Sequence, residues 1–124
     1  MIKHVSLGEL LAEFIGSMFL VMAAVSSMIM FTTVFDAHNG IAIFANAIAV
    51  AFVLCALIEM FGSISGAHFN PVVTMVMLFE KKIGITAAAL FVLFQFIGGI
   101  AGTALSRLMF LDDVGTIVFV NKKV

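Results

Sequence analysis

The chain has 124 residues, of which 64% are hydrophobic and 10% charged, with a mean hydropathy of +1.29 and a net charge of −1. An ordinary soluble domain carries about a quarter charged residues, so this composition excludes one and specifies an integral membrane protein. The six Lys and Arg are scattered and leave no footprint for nucleic acid. The single cysteine, Cys55, lies in an apolar stretch and reads as a small core residue. It allows no intrachain disulfide and no metal-ligand spacing. Trp and Tyr are absent, so the usual interfacial belt is missing.

The first predicted span covers residues 7–31 and ends at the polar turn Asp36-Ala37-His38-Asn39-Gly40. Lys3 and the small pair Ala23-Ala24 resemble parts of a cleaved signal peptide. Glu9 and Glu13, and apolar sequence continuing to Val34, argue against cleavage. The second span covers residues 41–61. From Ile41 to Phe79 the only acid is Glu59, and there is no Lys or Arg. That run is too long for one crossing of about 20 residues and too short for two. It is broken over residues 62–71, where Asn70 can cap a helix and Pro71 can occupy its first position. The spacing predicts a half-helix over 71–79, about 14 Å long. A backbone opened inside the bilayer is tolerated only against protein or a water-filled cavity, so this segment should line a path. It would enter and leave on one side, placing residues 65–67 and Lys81-Lys82 at one membrane face. The third span covers residues 83–108, and residues 111–124 form a tail readable either as the start of a further helix or as an extended end. Residues 1–110 form the one predicted domain.

Small residues recur at helix-contact spacing: Ala12 and Gly16; Ala45 and Ala49; Ala47, Ala51 and Cys55; Gly98 and Gly102. In this topology Lys3, Lys81 and Lys82 fall on one side and Arg107, Lys122 and Lys123 on the other, so the positive-inside rule has almost no bias to read. Either the distal Lys122 and Lys123 count little, or the chain inserts both ways up.

Among the polar residues within the spans, Asn70 either caps the half-helix only or also offers its amide N–H to a neutral solute, where the helix dipole repels cations. Glu13 is a structural clamp for backbone donors in the 66–69 loop or, alternatively, a site for a transported ion. His68 helps hold the loop, with either ring tautomer open. Gln95 reads as an interhelical hydrogen-bonding residue. Glu59 either snorkels to the surface or lies at a pore mouth. No nucleophile–base pair, phosphate-cradling glycine loop or metal cluster supports catalysis, so no enzyme, no metal and no cofactor is expected.

Ser65-Gly66-Ala67-His68-Phe69-Asn70-Pro71-Val72-Val73-Thr74 closely resembles the first Asn-Pro-Ala signature of the aquaporin and glycerol-facilitator family, the major intrinsic proteins. Ala12-Glu13-Phe14-Ile15-Gly16 is similar to the family's first-helix motif and Gln95-Phe96-Ile97-Gly98-Gly99 to its third-helix motif. The resemblance implies an all-α membrane protein with three transmembrane helices and one re-entrant half-helix, one half of the inverted-repeat aquaporin fold. It implies that Glu13, with Gln95, braces the loop. It further implies that the carbonyls of Gly66, Ala67 and His68 line the pathway, and that the Asn70 amide donates to passing water or polyol. Two departures stand out. Val72 replaces the motif's alanine, and the chain carries only the first repeat, without the arginine that follows the second motif in typical members. Val73 holds the matching position.

The expected function is therefore passive permeation of water and small neutral solutes such as glycerol, in the cell membrane, with the pore completed by an inverted copy. Matched by position, the constriction would draw on Val50, Ile58, Ala67 and Val73 from both copies, with up to four such pairs assembled in lipid. Two other readings stay open. A second half-chain could supply the missing motif, or the chain could be a non-conducting membrane protein retained for packing.

Overall fold

The computed structural model describes residues 4–111. Helix α1, Leu7–Ile29, starts at a capping box: the Ser6 hydroxyl accepts from the Glu9 N–H at 3.2 Å, and the Glu9 carboxylate accepts from the Ser6 N–H at 2.7 Å. It runs into a π-helical turn, Met30–Val34, so the apolar span covers Leu7–Val34. Helix α2, Asn39–Ser65, is capped by His38, whose Nδ1 accepts from the Gly40 N–H at 3.2 Å. Helix α3 is Pro71–Phe79 and helix α4 is Ile85–Met109. Three of these segments are long and apolar enough to cross a membrane; α3, at nine residues, reaches about half way.

The second span ends later than its sequence suggests. Gly62 and Ser63 are weak helix formers, yet α2 continues to Ser65, and the break narrows to residues 66–70. In an apolar surrounding an opened peptide group finds no water, so the helix persists until glycine can take a left-handed turn. Glu59 thus sits six residues before the helix end and is exposed. Apart from Leu111, the tail over 111–124 lies outside the described residues.

Helix α1 is central. It packs on α2 along one side and on α4 along the other, α3 rests on α4, and α2 touches neither α3 nor α4 among the described residues. The closest approach is between α1 and α4. A Cβ on Gly98 would collide with the Phe14 carbonyl oxygen, and one on Gly102 with the Met18 carbonyl oxygen. Cys55, expected in the core, is exposed, as are Ala47 and Ala51. The reason is that α2 meets α1 through Ala42, Asn46 and Leu57, leaving the opposite face without a neighbour in this half.

Polar ties cross both seams. Asn46 Nδ2 donates to the Ala24 carbonyl at 2.6 Å and to Ser27 Oγ at 2.8 Å, and Ser26 Oγ donates to Ser106 Oγ at 3.0 Å. Such bonds contribute about 0.6–1.7 kcal/mol in membrane proteins. Asn46→Leu is expected to lower stability by about 1 kcal/mol, read by denaturant titration in detergent micelles; an unchanged midpoint would show the α1–α2 seam to be held by packing alone.

Candidate functional site: a re-entrant turn clamped by a buried carboxylate

Residues 66–70 reverse the chain in an unusual backbone. Gly66 has φ +88°, as a helix-ending glycine often does, but Ala67 and Phe69 also lie in the left-handed region, at φ 51° and 48°. For residues with a Cβ this costs of order 1–3 kcal/mol each and persists only where surrounding bonds demand it. Those bonds are explicit. The Ala67 N–H donates to Ser65 Oγ at 3.1 Å, the His68 N–H to Glu13 Oε1 at 3.0 Å, and the Phe69 N–H to Glu13 Oε2 at 2.8 Å. The Phe69 ring seats directly on Gly16 of α1, where any Cβ would overlap it.

Glu13 is fully buried and receives two further donors: Ser65 Oγ at 2.6 Å and Gln95 Nε2 at 2.7 Å. Four donors on two oxygens match an acceptor-only carboxylate. One side chain of α1 thereby ties the end of α2, the loop and α4 together. Thr74 forms a second node, accepting from Gln95 Nε2 at 2.9 Å and donating to the Asn70 carbonyl at 3.2 Å. Its remaining lone pair faces His68 Nδ1 at 3.1 Å. With the hydroxyl proton on the Asn70 carbonyl, Nδ1 carries the ring proton and Nε2 is left as an acceptor. The His68 ring also packs edge-on against Phe91, with centroids 5.3 Å apart.

With the N–H groups of residues 67–69 all bonded to side-chain oxygens, the hydrogen-bonding capacity the loop has left is that of acceptors. The carbonyls of Gly66, Ala67 and His68 have no hydrogen-bond partner among the described residues. Asn70 caps α3 through its Oδ1, which accepts from the Val72 N–H at 2.8 Å. Its Nδ2 has no partner among the described residues, and the residue is exposed. Pro71 occupies the first helical position, where its lack of an N–H leaves nothing unsatisfied. A cleft of about 1040 Å³ leads to the loop and is lined by Ser65, Gly66 and His68 together with Lys81 and Lys82. The loop entrance and these lysines thus lie at one end of the helix bundle.

The structure gathers Glu13, Gln95, His68 and the loop, but not every residue singled out by sequence. Val50 is half-buried on α2, while Ile58 and Val73 are exposed on α2 and α3, and these two helices make no contact. This half does not bring the three to one constriction. Ser65 and Thr74 carry roles that the sequence reading left unassigned. The signal was local: Thr74 follows Asn70 by four residues, and Ser65 precedes Ala67 by two, both spacings at which a hydroxyl reaches backbone.

The sequence matches the family described as major intrinsic protein over residues 1–123. Among curated proteins it is 41% identical over 99 residues to "Aquaglyceroporin AqpS" of Rhizobium meliloti, covering 80% of this chain and 42% of that protein. It is 31% identical over 107 residues to "Nodulin-26" of Glycine max, covering 86% and 38%. With "Glycerol uptake facilitator protein-like 6" of Lactiplantibacillus plantarum it shares 33% over 94 residues, covering 76% and 40%. The chain therefore spans less than half the length of these relatives. No solved structure matches it at comparable significance. Three membrane spans around a short helix that begins at Asn70-Pro71, with the matching sequence, place this integral membrane protein in the major intrinsic protein family, as one half of the aquaporin fold.

Proposed function

We propose that the chain forms one half of a passive channel in the cell membrane for water and small neutral solutes such as glycerol, completed by an inverted copy of itself. The observation that supports this most is the division of the loop's hydrogen-bonding groups. Every N–H from Ala67 to Phe69 is bonded to the Ser65 hydroxyl or the Glu13 carboxylate, while the carbonyls of Gly66, Ala67 and His68 and the Asn70 Nδ2 have no partner among the described residues and are left for a solute. A row of acceptors ending at one donor replaces the hydration of a water molecule or a hydroxyl group in sequence. The positive end of α3 disfavours a cation at that point. The names of the relatives, water and glycerol facilitators, agree with such substrates. In an inverted pair, Val50, Ile58, Ala67 and Val73 of both copies would approach one constriction. That constriction is apolar and lacks an arginine, hence wider than a strict water filter. Four such pairs would make the whole assembly. A second reading, that another polypeptide segment supplies the other half, draws on the relatives' greater length.

Osmotic shrinkage of liposomes holding the chain alone tests the proposal, with Asn70→Asp as the comparison. Aspartate caps a helix as well as asparagine, so α3 is retained while the donor is lost and a negative charge appears. Water and glycerol flux is expected from the unaltered chain, falling about tenfold or more in the variant, the equivalent of about 1.4 kcal/mol in the barrier. Absence of flux from inserted, folded protein would rule out a self-completed pore. Equal flux from both would remove Asn70 from the path.

A further inference from the structure

We propose that the cleft bounded by His68, Lys81 and the start of α4 binds a phosphorylated polyol. The phosphate lies between Lys81 and the first turn of α4, and a hydroxyl of the same molecule donates to His68 Nε2. The site uses neither Asn70 nor the loop carbonyls, and its test needs no flux.

The floor of the cleft is an acceptor. His68 is 7% exposed and lines this space of about 1040 Å³. Its Nδ1 is committed to Thr74 Oγ1 at 3.1 Å. Its Nε2 has no hydrogen-bond partner among the described residues and is not sealed from the cleft. With the ring proton on Nδ1, Nε2 accepts, so it calls for a hydroxyl and not for an anion. A nearly buried acceptor without a donor costs free energy that a ligand hydroxyl recovers.

The mouth calls for the opposite. Lys81 closes α3 in the left-handed region, at φ 59°, with its N–H on the Leu78 carbonyl at 3.0 Å. Glycine is the usual residue at such a helix end, and a lysine there carries a backbone cost. Lys81 has no ion-pair partner among the described residues, whereas Lys82 is paired with Glu80 at 2.6 Å. Gly84 starts α4 without a side-chain cap, and no acid lies in the first turn. The N–H groups of Ile85, Thr86 and Ala87 have no acceptor among the described residues, and all three residues line the cleft. Free N–H groups at the positive end of a helix, beside a lysine, suit a phosphate. Glu9 also lines the cleft, with its carboxylate on the Ser6 N–H, and its charge disfavours a second phosphate. The His68 ring packs on Phe91, which follows Ile85 by six residues, so floor and mouth are about 9 Å apart along α4. One ligand meets both ends if a phosphate is joined to a short hydroxylated chain. Free glycerol phosphate and the phosphoglycerol head of an anionic lipid share that chemistry.

Calorimetric titration of the full chain in uncharged detergent tests this, with glycerol phosphate, propyl phosphate and glycerol as probes. Glycerol phosphate is expected to bind saturably and several-fold tighter than propyl phosphate, which has the same charge and no hydroxyl. Glycerol alone is expected to give no measurable heat of binding. Lys81→Gln should weaken the binding of glycerol phosphate several-fold, and Thr86→Asp should abolish it. An acid in the first turn favours the helix while it repels a phosphate, so circular dichroism should show Thr86→Asp as helical as the unaltered chain. Absence of saturable binding overturns the site. So does equal affinity for the two phosphates, which removes the His68 floor, and so does binding that Thr86→Asp leaves unchanged. Vesicles then separate the two sources. Binding of glycerol phosphate in phosphatidylcholine vesicles that is lost when phosphatidylglycerol is included keeps the site and gives it to the lipid head. Equal binding in both keeps the site and gives it to the soluble ester. Because no arm reads flux, failure of the pathway reading leaves this site standing.

Discussion

Replacing Glu13 with alanine is expected to abolish solute flux and to lower stability more than any other single truncation in the chain. The carboxylate receives Ser65 Oγ, the N–H groups of His68 and Phe69, and Gln95 Nε2, all within 3.0 Å and all buried. Alanine leaves four donors facing a void. Each buried, unsatisfied donor costs about 1–3 kcal/mol, so even with half of them relieved by water the loss is about 2–6 kcal/mol. The left-handed backbone at Ala67 and Phe69 then loses what holds it, and the outward row of carbonyls goes with it. Glu13→Gln separates charge from shape. Whichever way the amide lies, its NH2 meets a donor pair, either Ser65 with His68 or Phe69 with Gln95. The Ser65 hydroxyl can turn to accept, so glutamine should fall between glutamate and alanine. Flux and the denaturation midpoint measured on both variants check this. Alanine with ordinary flux would mean that the loop holds its shape without the clamp.

The second large effect concerns packing. Gly98→Ala places a Cβ against the Phe14 backbone carbonyl, where no rotamer change can give way, and α1 and α4 must move apart. Overpacking of this kind costs about 1–3 kcal/mol. The consequence reaches the loop, because Gln95 lies one turn before Gly98 on α4, and Glu13 immediately precedes Phe14 on α1. Separating the helices stretches the Gln95–Glu13 bond of 2.7 Å. Both stability and flux should fall, and Gly98→Leu should exceed Gly98→Ala. The same glycine-to-alanine change at Gly62, within α2, meets no atom within 4 Å and should leave stability unchanged or raise it by about 0.5–1 kcal/mol. Equal responses at the two positions would show that the α1–α4 crossing does not limit stability.

Much of this molecule is written in short stretches of the chain. Composition decided the solvent, because a run of 39 residues with one charge cannot be kept in water, and the Asn70-Pro71 step decided where a helix restarts, because capping and the missing proline N–H are local chemistry. Glu13 and Gln95 stood out for a related reason: polar groups are costly in lipid wherever they occur, so their presence alone signals partners. What those partners are was not legible. Ser65, His68, Phe69 and Gln95 reach Glu13 from 52 to 82 positions away, and only the packing of α1 against both α2 and α4 brings them within a hydrogen bond. The end of α2 was misplaced by four residues, because propensity is calibrated in water and the helix here ended where solvation, not propensity, allowed. Cys55 was assigned inward from its type, but which face of an almost uniformly apolar helix is covered depends on its neighbours. Polarity along the chain therefore marked which residues matter, and the tertiary structure decided what each of them touches.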